Sequence, residues 1–190
     1  TTLRPDRKGV VVSSDESAVV SDALLTEMVL GELSETGGLY LGQGGLEHQV
    51  LAGRLRSEVV VILSPNLGLK HLHRALGISL AASRDVEELL TLWKPDSRER
   101  LNAALVTALG DSLEATDVIG AVAEHPGVGR WIEALASAHR QAATPSIFTE
   151  PSQFEHLARL WRRGHAVVVE GSVFGNTTVE DLATFSAVLK

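Results

Sequence analysis

A chain of 190 residues is long enough for one domain with a real core, and 44% hydrophobic with 22% charged residues is an ordinary globular composition. Its 17 basic and 24 acidic residues give a formal charge of −7, which repels a phosphate backbone and argues against nucleic acid as a partner. The absence of cysteine excludes disulfides, thiolate metal sites and a cysteine nucleophile, and is compatible with a reducing cytoplasm. No apolar run approaches the roughly 20 residues that span a bilayer, so no membrane partner is expected.

Residues 1–8 read as a polar arm, and Val10-Val11-Val12 as a doubtful short strand. Ser21 caps an expected helix over 22–34, with Ala23, Leu24, Met28, Leu30 and Leu33 at helical spacing. Thr36-Gly37-Gly38 ends it and opens the stretch on which the reading turns, Gly38 to His48. A strand over 38–42 breaks into Gly42-Gln43-Gly44-Gly45, then resumes as a helix over 45–56. That helix turns Leu46, Val50, Leu51 and Leu55 inward and leaves Glu47, His48, Arg54 and Arg56 for water. The strand 59–63 is apolar at every position, as in a parallel strand covered on both faces. Strand, glycine loop, helix, strand is the order of a nucleotide-binding α/β unit.

Pro65 stops the second strand, and Asn66 stands where it can cap a helix over 67–80. From 67 to 163 the pattern is almost wholly helical. Asp85 caps a segment to Trp93, Pro95 opens one to Leu109, and further helices follow at 115–124, 129–142 and 151–163. Ala166 to Glu170 is a third strand, 171–176 a loop, and 177–189 a helix with Thr177 and Glu180 at capping-box spacing. Three clear strands are few for a doubly wound sheet. Either the sheet is small, or another chain or further sequence completes it.

The order Ser14-Asp15, Gly37-Gly38-Leu39-Tyr40-Leu41-Gly42, the 59–63 strand and Val169-Glu170-Gly171-Ser172-Val173-Phe174-Gly175 resembles a group of largely uncharacterised bacterial proteins. These have a class I S-adenosylmethionine methyltransferase-like Rossmann fold. The resemblance spans roughly 13–189 and implies one α/β domain, 1–190, with a small, mainly parallel Rossmann-like sheet and a large helical insertion at 67–163. It further implies S-adenosylmethionine as cofactor, held by Gly38, Gly42 and Gly44, with Gly171 and Gly175 in a second loop, and a small-molecule substrate; Gly45 joins the set as the last residue of the glycine loop. The group's usual acidic residue at the end of the second strand is replaced by Ser64-Pro65-Asn66, and the one after the late glycine by Ser172.

Each candidate also has a plainer reading. The glycine loop is a cofactor cradle or a tight turn needing small residues. Asn66 holds a ribose hydroxyl or caps its helix; Glu170 faces the crevice or caps nearby backbone donors. His48 lines the pocket mouth or lies on a solvated helix face. His71 and His73 point about 200° apart on one helix and cannot share a metal ion, so no metal is expected. The tryptophans sit at apolar positions suited to a core or an interface, and Arg159, Arg162, Arg163 and His165 read as the solvated last turn of a helix. No catalytic residue is assigned. Two functions follow: methyl transfer to a small molecule by proximity and orientation, or a non-catalytic scaffold that joins a homo- or hetero-oligomer.

Overall fold

The computed structural model describes residues 34–171. The strand at 10–12, the helices at 22–34 and 177–189, the loop from Ser172 to Asn176 and the Ser14-Asp15 pair lie outside the described residues. Within them, three parallel strands stand in the order β1 (Leu39–Gln43), β2 (Val59–Ser64), β3 (Ala166–Glu170). Helix α1 (Glu47–Arg54) crosses from β1 to β2. Six helices intervene before β3: α2 (Leu67–Ala82), α3 (Val86–Leu92), α4 (Arg98–Leu109), α5 (Leu113–Glu124), α6 (Gly127–Gln141) and α7 (Pro151–Arg162). A single 3-10 turn, Pro95–Ser97, leads into α4. The fold is therefore α/β, dominated by helix, with a small parallel sheet.

The register puts Tyr40, Val60, Ile62, Ala166 and Val168 on one face of the sheet, and that face packs into the helical core. Leu39 and Leu41 lie on the other face and are exposed at 63% and 44%. Helix α2 is the hub, packing on β2, β3, α3, α4, α5 and α7. Its Leu69, Leu72, Leu76 and Leu80 form the inward stripe, and Ala75, Ile78 and Ser79 widen it until most of the circumference is buried. Asn66 accepts from Leu69 N, Asp85 from Glu88 N and Ser112 from Ala115 N, so three helix starts are fixed by side-chain caps. The helix expected over 45–56 is shorter at both ends, because Gly45 and Leu46 belong to the turn and Leu55 closes the last turn.

Close packing of the hub leaves no room for a side chain at position 77. A Cβ there would overlap the indole of Trp161, whereas at Gly120 it would meet nothing within 4 Å. Gly77→Ala is therefore expected to lower the unfolding free energy by about 1–3 kcal/mol through overpacking. By contrast, Gly120→Ala is expected to raise it by roughly 0.5–1 kcal/mol through helix propensity. Urea-unfolding midpoints of the two variants check both signs.

Candidate functional site

The turn between β1 and α1 sits at the carboxyl edge of a parallel sheet, where α/β folds take their ligands. Gly44 has φ +110, which an L side chain rarely adopts, and its N–H continues the β1–β2 ladder by donating to Leu63 O at 3.1 Å. Two imidazoles secure the adjacent carbonyls. His48 Nε2 lies 2.8 Å from Gln43 O, and His73 Nε2 lies 2.6 Å from Gly44 O. A carbonyl only accepts, so both rings carry their proton on Nε2.

His48 Nδ1 is then an acceptor, 2.5 Å from the hydroxyl of Tyr40, which donates to it. Burial, and then the nearby Glu47 carboxylate, push the Tyr40 phenol well above its ordinary range and keep it a donor. The His48 ring and the Tyr40 ring occupy the space over Gly42, where a Cβ would lie 2.6 Å from His48 Nδ1. Behind the turn, Trp161 Nε1 donates to Gln49 Oε1 at 2.9 Å, and Gln49 Nε2 donates to the backbone oxygen of His73 at 3.3 Å. All three side chains of that chain are buried.

His73 is fully buried, and its pKa is pushed down to about 4 by desolvation; the bond to Gly44 opposes the shift and His48 adds to it. Its Nδ1 has no partner among the described residues. The ring is thus neutral near pH 7.

What a ligand meets at this turn is decided by Glu47. The N–H groups of Gly45, Leu46 and Glu47 have no acceptor among the described residues. The Glu47 carboxylate folds back over Gly45, where a Cβ would overlap it, and its Oε2 is enclosed with no hydrogen-bond partner among the described residues. The positive end of an eight-residue helix is therefore faced by the chain's own anion.

Gly42, Gly44, Gly45, Asn66, Glu170 and Gly171 all come to the carboxyl edge. Glu170 pairs in register with Ser64 and is exposed, and Gly171 N donates to Ser64 O at 2.9 Å. Asn66 Oδ1 accepts from Leu69 N, and Ser64 Oγ donates to Asn66 O at 2.8 Å, so the end of β2 is closed by its own hydrogen bonds. Gly38 is not at this edge. It precedes β1, and its carbonyl accepts from Glu58 and Val59 at the opposite end of the strand. Glu47 and His48, expected in water, are half-buried members of the cluster.

Tyr40, Gln49 and His73 were not singled out for the site by sequence. The signal for His73 was present: it falls between Leu72 and Leu76 on the buried stripe of α2. Among the described residues, no three His, Asp or Glu side chains are grouped to hold a metal, and no helix is long and apolar enough to cross a membrane.

Residues 20–190 match a family model described as a domain of unknown function, DUF7790. No curated protein matches the chain.

The depressed pKa of His73 makes a pH prediction. Above about pH 6.5 the ring is neutral in both folded and unfolded chains, and below that the unfolded chain takes up a proton the folded one refuses. Stability is therefore held above pH 6.5 and lost as pH falls toward 4, by about 2 kcal/mol at pH 5 from this group alone. His73→Gln, which keeps an N–H for Gly44 O, is expected to remove that component. Denaturant unfolding of both proteins at pH 7 and pH 5 reads the difference in slope.

Proposed function

The chain belongs to the DUF7790 family, and for it we propose a non-catalytic role, as a Rossmann-like scaffold and assembly subunit whose cofactor loop is closed by its own side chains. The carrying observation is the Glu47 carboxylate, enclosed against Gly45 at the turn where a cofactor would approach the backbone. Three further contacts support it. His48 fills the space over Gly42, His73 engages Gly44 O, and Asn66 is committed to its helix cap instead of a ribose diol. Support for assembly comes from β1, which is an edge strand among the described residues and carries the exposed Leu39 and Leu41.

A second reading keeps S-adenosylmethionine-dependent methyl transfer to a small molecule. In its favour are the parallel β1–β2 pair, a glycine turn at its carboxyl end and, among the described residues, three N–H groups without an acceptor at the start of α1. It requires Glu47 to swing away from Gly45. Glu170 and Gly171 would then form the far wall of the crevice, across β2.

Thermal unfolding with S-adenosylmethionine, and separately with S-adenosylhomocysteine, separates the two. A ligand at about 100 times its Kd stabilises by roughly 2.7 kcal/mol, and the scaffold reading expects no shift at millimolar concentration of either compound. A shift that disappears in Gly45→Val would overturn that reading in favour of the enzyme. Light scattering after size exclusion is expected to give more than the mass of one chain, and a strict monomer would remove self-assembly.

A further inference from the structure

The helical layer contains a groove of about 450 Å³ between α2, α4 and α7, with no lining residue from the glycine turn. That volume falls in the range of small-molecule sites, which join mostly apolar walls to a few placed polar groups. One wall is Trp161. Its N–H is already engaged by Gln49, and its ring is seated against Gly77, so it offers the groove a fixed apolar surface. Ile78 of α2 continues that wall, and Ala104 and Ala108 of α4 keep the opposite side low.

The polar groups are two guanidiniums. Arg74 and Arg162 both line the groove, with side chains 36% and 41% exposed. Arg162 is held in place by Nε on Ala81 O at 3.0 Å and Nη1 on Glu155 at 3.3 Å. Arg74 is held by Nε on Glu114 at 3.1 Å. A guanidinium has five N–H donors. Among the described residues Nη2 of Arg162 and both terminal nitrogens of Arg74 remain uncommitted. Each is thus oriented by one contact set and still able to receive an anion, in a chain whose overall charge is −7.

We infer that this groove is a binding site for a small organic acid, an apolar chain or ring lying on Trp161 and the α4 alanines with its carboxylate on Arg162 and Arg74. No residue of the glycine turn lines the site, and the inference stands whether or not that turn takes a cofactor. Neutral amphiphiles share the apolar contacts but not the ion pair, so they bind more weakly. Inorganic anions share the ion pair but leave the walls wet.

Decanoate, decanol and acetate are the probes, each titrated against the full chain with tryptophan fluorescence and calorimetry as readouts. Decanoate is expected to bind saturably and at least tenfold more tightly than decanol, with acetate silent. Arg162→Gln with Arg74→Gln is expected to reduce decanoate affinity at least tenfold while leaving decanol unchanged. Ala104→Phe, which fills the groove from a half-buried helix position, is expected to abolish binding of both. If Ala104→Phe lowers the helical circular dichroism, Ala108→Leu, at an exposed position, takes its place. No saturable decanoate binding, equal affinity for decanol, or binding that survives the filling variant overturns the inference. So does a wild-type dimer that Ala104→Phe or Ala108→Leu converts to monomer, because the groove is then a subunit contact.

Discussion

A run of hydrogen bonds, two buried and one part-buried, ties the helical layer to the sheet's carboxyl edge: Trp161 to Gln49, Gln49 to the backbone of His73, and the His73 ring to Gly44. It joins the turn after β1, α1 and α2 to α7, which lies about a hundred residues further along the chain. The side chains that make these links, Trp161, Gln49 and His73, are buried. A buried donor or acceptor left without its partner costs about 1–3 kcal/mol, comparable to the gain from burying one Leu side chain. The positions of Gln49 and His73 are thereby specified more tightly than apolar packing alone would do, since a shifted apolar side chain loses contacts gradually and a shifted donor loses its partner outright.

The same bonds tie the glycine turn to the chain's own side chains. In a nucleotide cradle, the small residues and backbone donors are complementary to something the protein does not itself supply. Here the carbonyls of Gln43 and Gly44 are held by His48 and His73, the Gly44 N–H extends the ladder, and Glu47 stands at the helix start. Neutral His73 is part of this arrangement. A charged ring at the same place would be desolvated beside His48, and its depressed pKa expresses that cost.

Local signals carried most of the frame. The period switch at 59–63 and 166–170 placed two strands, and Asn66 and Asp85 placed two helix starts, because a capped start and a continuous apolar run are written in adjacent residues. The site was less legible for a physical reason. Glu47 and His48 fall on the polar side of a helix wheel, but α1 is only eight residues long and lies between the turn and α7, so more than one of its faces is enclosed. Gln49 is fully buried for the same reason, and its two partners are 24 and 112 residues away. Gly38 and Gly42 look alike in sequence, yet Gly38 precedes β1 and Gly42 lies near its carboxyl end, so the strand carries them toward opposite edges of the sheet.

The glycines make the general point. Gly42 leaves room for the His48 ring, Gly45 for the Glu47 carboxylate and Gly77 for the Trp161 indole. In every case the missing Cβ is replaced by a side chain of the same protein. A glycine in sequence records that something approaches the backbone closely, and it does not record whether that something is a cofactor or the chain itself. The distinction lies in what the neighbouring polar groups do. Here the carbonyls of Gln43 and Gly44 are already donated to and the Glu47 carboxylate lies against Gly45, so among the described residues the close approach at this turn is made by the chain's own side chains.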